Sequence, residues 1–123
     1  MNQKEAMELQ KKQSKYSNVK TSTDGITFSS KKEAKRYQDL RWLEKAGSIK
    51  DLKLQVKFEI YPRLTTEHGV IINKRSYIAD FVYYDNQIKN YVIEDSKGYQ
   101  TKEFRMKWRQ MQQRYTDYDF VLT

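Results

Sequence analysis

Tyr91-Val92-Ile93-Glu94-Asp95-Ser96-Lys97-Gly98 is an apolar run that climbs into two carboxylates, then a lysine, then a glycine where the chain can turn. Read as a β-strand, its side chains alternate faces, so Tyr91, Ile93, Asp95 and Lys97 share one side and Val92, Glu94 and Ser96 the other. Asp95 and Lys97 then lie about 7 Å apart along the strand. A carboxylate and an ammonium so placed at the end of a buried strand make a metal ligand beside a cation, the pairing that attack on a phosphodiester requires. An isolated Asp-X-Lys more commonly marks the place where a strand leaves the core. The partners supplied by the rest of the chain therefore decide its meaning.

Upstream, Tyr77 to Tyr84 is a second strand of aromatic and β-branched residues, interrupted by Asp80. A carboxylate inside an apolar strand is costly to bury unless it is paired, protonated or bound to metal. The turn Asp85-Asn86-Gln87 returns the chain antiparallel, so a hairpin sets the Asp80 strand beside the Asp95 strand. With strands about 4.8 Å apart, the two carboxylates can share one divalent ion if register and faces agree.

Further upstream, Ser29-Ser30-Lys31-Lys32-Glu33 opens a helix that runs through Ala34, Tyr37, Leu40, Trp42 and Leu43 to Ala46, with Gly47 as its stop. Glu33 fits two roles: partner of Ser30 in a capping box, and a third acidic group on or beside the buried face. Ile49 to Ile60 reads as a strand with Leu52, Leu54, Val56, Phe58 and Ile60 on one face, ending near Pro62. Gln55 in its middle is a minor candidate for a contact to substrate or to the metal's surroundings; an exposed strand position is the stronger reading. Residues 63–76 read as a loop with a short strand at Val70-Ile71-Ile72.

Downstream, Lys102 to Arg114 reads as a helix carrying Phe104, Trp108 and Met111, with Tyr115 just beyond. Lys102, Arg105, Lys107, Arg109 and Arg114 stand on its other faces against Glu103, either as a solvated face or as a track for phosphates. Asp117 to Leu122 closes the chain as a strand, with Tyr118-Asp119-Phe120-Val121-Leu122 as its run. The order is αβββαβ, a mixed α+β fold, with the last two strands parallel across a right-handed helical crossover.

With 123 residues the chain is one domain. Its 24 Lys and Arg against 16 Asp and Glu give a net charge of +8, which suits a polyanionic partner such as nucleic acid. The absence of cysteine excludes disulfides and thiolate zinc sites, and the lone His68 excludes a histidine-rich metal site. No apolar run long enough to cross a membrane is evident, so no membrane association is expected and the cytoplasm is the expected location. Residues 1–25 read as a flexible basic arm or frayed helix, and 26–123 as the folded domain.

Asp80 followed by Asp95-Ser96-Lys97 resembles the PD-(D/E)XK nuclease signature, with Ala79 where the signature has proline. Phe28-Ser29-Ser30-Lys31-Lys32-Glu33-Ala34, with Ile49-Lys50-Asp51-Leu52 and Leu54-Gln55-Val56, is similar to transposon endonuclease subunits and phage Holliday-junction resolvase-like members. From Lys15 to the end the chain resembles a small phage-encoded family of that superfamily. The resemblance implies Mg²⁺- or Mn²⁺-dependent hydrolysis of DNA, with a preference for branched DNA and a homodimeric state. It implies Asp80 and Asp95 as metal ligands, a backbone carbonyl near Ser96 beside them, Glu33 as the additional carboxylate, and Lys97 as the group that orients or deprotonates water. Glu94 is the alternative ligand if a bulge shifts its strand. A non-catalytic nucleic-acid-binding module that keeps the fold is the second reading, and a basic structural protein of a nucleoprotein assembly the third.

Overall fold

A computed structural model describes residues 21–123. Most of the expected N-terminal arm therefore lies outside the described residues. Its last residues belong to the folded unit: β1 (Thr21–Thr23) pairs antiparallel with β2 (Ile26–Phe28) across the Asp24-Gly25 turn.

The helix α1 (Lys31–Lys45) begins where the sequence predicts, with Ser30 accepting a hydrogen bond from the Glu33 amide at 3.1 Å. It buries Glu33, Ala34, Tyr37 and Leu40, one stripe at helical spacing. Its end is a Schellman motif. Gly47, at φ 82, donates to Glu44 O, and Ser48 donates to Leu43 O. The chain then enters β3 (Ile49–Tyr61), and a small ribbon of β4 (Leu64–Thr65) and β5 (Ile71–Ile72) leads into β6 (Arg75–Asp85). After a turn tied by Asp85 Oδ1, which accepts from the Gln87 amide, β7 (Asn90–Asp95) runs back along β6. The helix α2 (Lys102–Arg114), capped by Thr101, crosses over to β8 (Asp119–Leu122), which lies parallel to β7. The central sheet has the order β3-β6-β7-β8 and is mixed, as the αβββαβ reading requires.

Two apolar clusters cover the two faces of this sheet. Phe28, Ala34, Tyr37 and Leu40 pack with Phe81, Tyr83 and Val92 on the α1 side. Trp108 and Met111 pack with Tyr77, Ala79, Val82 and Ile93 on the α2 side. One expectation fails here. Leu52 and Leu54 pack in the first cluster, but Val56, Phe58 and Ile60 belong to the second. On β6 the same switch falls between Ala79 and Phe81. Strict period-two alternation keeps such residues on one face, so both strands break it at one level, Gln55 and Asp80. Leu54 pairs with Phe81 and Val56 with Ala79, so register is kept across the break. Gln55 absorbs it with φ 52, a left-handed conformation uncommon outside glycine. The break thus turns two polar side chains to the same side of the sheet.

Candidate active site

Asp80 is buried, and both of its oxygens are held: Oδ1 accepts from Gln55 Nε2 at 3.2 Å and Oδ2 from the Ser96 amide at 3.0 Å. The same Gln55 nitrogen donates to Glu33 Oε1 at 3.1 Å. One amide therefore bridges two carboxylates that would otherwise repel each other. Glu33 comes from the first turn of α1 and accepts a second hydrogen bond from Ser29 Oγ at 2.7 Å. Only half of the expected capping box forms, because the Glu33 carboxylate turns to Ser29 and Gln55. Burial is the main cause that raises the Glu33 pKa; the Ser29 hydrogen bond opposes it, and the Asp80 charge adds to the rise. A cleft of about 260 Å³ opens over these groups, lined by Phe28, Ser29, Leu54, Glu33, Gln55 and Asp80 among others.

Asp95 is 1% exposed, and neither of its carboxylate oxygens accepts a hydrogen bond. Its nearest partner is Lys97 Nζ, 3.5 Å from Oδ1, an ion pair rather than a well-formed hydrogen bond. Burial pushes the Asp95 pKa up to about 6, with Lys97 opposing. The Lys97 ammonium also lies 5.1 Å from the Phe104 ring centroid. Its backbone is fixed by β8: the Thr123 amide donates to Asp95 O and the Lys97 amide to Thr123 O. Lys32 Nζ donates to Lys97 O at 2.9 Å, bringing another cation to the strand end.

The structure thus joins Glu33, Gln55 and Asp80 in one group and Asp95 with Lys97 in another. Asp80 links them through its bond to the Ser96 amide. Asp95 and Lys97 do not line the cleft. Among the described residues, no three His, Cys, Asp or Glu side chains converge closely enough to hold a metal by themselves. Bare oxygens on a buried carboxylate fit an oxygen-seeking cation, and Mg²⁺ needs only one or two protein carboxylates besides water and substrate phosphate.

Glu94 is accounted for differently. It is fully buried on the α1 side, where Arg36 donates through Nε to Oε2 and through Nη2 to Oε1 at 2.9 Å. Tyr83 Oη at 2.6 Å and Thr123 Oγ1 at 3.1 Å complete its set. A carboxylate with four donors has little left for a metal, whereas its neighbour Asp95 accepts no well-formed hydrogen bond and faces only the Lys97 ammonium.

The basic residues of α2 split into two groups. At 100° per residue Lys102 and Arg109 fall on the side away from Trp108 and Met111, and Arg105 flanks one edge of that stripe. Lys107 and Arg114 flank the buried stripe, and Lys107 pairs with Glu103 at 3.7 Å. Gln55 is exposed on β3, as the stronger reading has it, and still bridges Glu33 and Asp80; spacing carries no signal for Arg36 and Tyr83 as the partners that immobilise Glu94.

The fold and this site define an α+β protein whose mixed sheet carries a buried carboxylate pair, bridged by an amide, beside a carboxylate–lysine pair. The chain belongs to the family described as "Protein of unknown function (DUF1064)", whose model matches residues 13–122. Neither the curated proteins nor the solved structures searched contain a match to it. No helix among the described residues is long and apolar enough to cross a membrane.

Proposed function

We propose that the chain is a divalent-metal-dependent endonuclease acting on DNA. The observation that carries this reading is Asp95, a buried carboxylate with two unpartnered oxygens and a lysine 3.5 Å away. Burying such a group without hydrogen bonds lowers stability, and a structural role does not call for it.

In this reading Asp80 and Asp95 hold Mg²⁺ or Mn²⁺, with Glu33 completing the set directly or through water. Once bound, the ion would supply a Lewis acid for the phosphate and a water molecule of lowered pKa. Lys97 orients that water, takes its proton, or stabilises charge on the phosphate oxygens. Gln55 and the Ser96 amide fix the Asp80 carboxylate from both sides, the kind of outer support that orients a ligand. The net charge of +8 and the cations of α2 favour a nucleic-acid backbone.

Cleavage of supercoiled plasmid and of a four-way junction, with Mg²⁺, Mn²⁺ or EDTA, tests the reading. Wild type is expected to cut only with metal, and both Asp80→Asn and Lys97→Ala to lose about a hundredfold or more in rate. Cutting that survives in both variants places the chemistry elsewhere. Binding without cutting under any metal favours a non-catalytic DNA-binding module.

Gln55 gives a separate expectation. Gln55→Ala removes the bridge between Glu33 and Asp80 but no apolar packing, so the fold persists. Mn²⁺ affinity, read directly by electron paramagnetic resonance, is expected to fall about tenfold. An unchanged Mn²⁺ affinity reduces Gln55 to a spacer between two carboxylates.

A further inference from the structure

Beyond Tyr61 and Arg75 the β3–β6 hairpin continues as an arm, in which β4 pairs with β5 around the turn at 66–69. Leu64 and Ile72 face each other across it and are 43% and 41% exposed; Val70 and Ile71 are 57% and 53% exposed. Four aliphatic side chains on a two-stranded ribbon have no core to enter, and such a ribbon alone is marginal in water. It needs an occupant.

The fold shows where that occupant comes from. Below the break at Gln55 and Asp80, one face of the β3–β6 ribbon packs on α2 through Val56, Phe58, Tyr77 and Ala79. The other face is open. Lys57 stands opposite Ile78 on it, both exposed, and Glu59 opposite Ser76. This open face starts at the side to which Gln55 and Asp80 turn toward Glu33, and it reaches the arm across an irregularity in β3 between Glu59 and Tyr61, beyond which Leu64 pairs with Ile72. By alternation Lys57 and Lys74 stand on it with Glu59 and Ser76, whereas Arg75, whose Nε is buried, falls on the α2 side with Tyr77. A linear polyanion held at the carboxylates must continue along this lane.

We infer that the arm at 62–74 enters a groove of the duplex DNA engaged at the site and presses Leu64 and Ile72, which share one face of the ribbon, against its base edges. This rests on the proposed nuclease reading. Two-stranded ribbons fit DNA grooves, and aliphatic wedges flanked by cations are a recurrent way to grip and kink a duplex. From Asp80 to Ile72 is eight residues, about 26 Å along the strand. At about 3.4 Å per base pair, the arm meets the duplex about eight base pairs to one side of the engaged phosphate.

The test uses the full chain in EDTA, with fluorescence anisotropy on labelled duplexes of about 30 and about 6 base pairs, the short one closed by a hairpin loop. Leu64→Ser/Ile72→Ser alters only exposed positions, so its melting temperature stays that of wild type. On the long duplex the variant is expected to bind about tenfold more weakly, with an unchanged salt slope because the phosphate contacts remain. On the short duplex, which cannot reach the arm, the two proteins bind alike. Equal binding on the long duplex overturns the inference while leaving the nuclease reading intact. A wild type that sediments as a dimer without DNA and a variant that sediments as a monomer assign the arm to a second copy of the chain and also overturn it. A wild type that neither binds nor cuts DNA removes the nuclease reading and the arm's role together.

Discussion

Asp95→Asn is expected to abolish cleavage and to make the protein more stable at neutral pH. The carboxyl group is almost wholly buried, and its pKa rises from 3.8 to about 6 because burial disfavours the charge more than Lys97 favours it. A raised folded-state pKa means that the native state binds the Asp95 proton more tightly than the unfolded chain does. The associated stability is fully present below about pH 4 and is lost as pH rises through about 6. At pH 7.5 the ionised group costs about 2–3 kcal/mol, since one pKa unit is about 1.4 kcal/mol. Asparagine carries no charge, but its amide donors also lack partners, which offsets part of the gain. The expected net gain is about 1–2 kcal/mol at pH 7.5, read as a rise of several degrees in melting temperature that shrinks toward pH 4. Added Mn²⁺ should stabilise the wild type and leave the variant unmoved. A variant less stable than wild type at pH 7.5 makes the Asp95–Lys97 pair a structural ion pair, and the metal reading loses its main support.

The elements that position these groups were legible because each rests on a local rule. Ser30 at the start and Gly47 past the end bracket α1, and the Asp85 turn sets β6 against β7. Period two also separates Asp95 from Glu94 correctly, with Ile93 and Val92 in opposite clusters. What alternation cannot show is its own interruption. Leu52, Leu54, Val56 and Phe58 look like one unbroken face, and nothing in a glutamine announces φ 52. The compensating break at Asp80 is invisible for the same reason, although it is what brings Asp80 and Gln55 to the Glu33 carboxylate. The partners of Glu94 were equally hidden. Arg36 lies fifty-eight residues earlier on a helix, and only the packing of α1 across β6 and β7 delivers it. Rules of spacing reach about one element; this site is assembled by contacts between elements.

Arg36→Met is expected to cost about 3–5 kcal/mol, the largest single loss of stability in the described residues. Glu94 has no exposure of its own, and among the described residues Arg36 is its only cationic partner; Tyr83 and Thr123 supply hydroxyls. The pairing holds the Arg36 pKa above its ordinary value, and burial beside Glu94 raises that of Tyr83, so both donors keep their protons at neutral pH. Methionine keeps the packing of the arginine stem but leaves an uncompensated charge at the centre of the sheet. Against a total of about 5–15 kcal/mol for a domain of this kind, that loss removes much of the margin. Urea unfolding of Arg36→Met, Glu94→Gln and the double variant separates the terms. Glu94→Gln retains the shape and removes the charge, so the double variant should recover most of what Arg36→Met alone loses. The recovery should not extend to cleavage if Glu94 also acts on its neighbour. Held by four donors on the α1 side, Glu94 fixes the end of β7 so that Asp95 faces Lys97. A double variant that is stable but cuts slowly shows that the buried pair positions Asp95; full activity limits the pair to holding the fold.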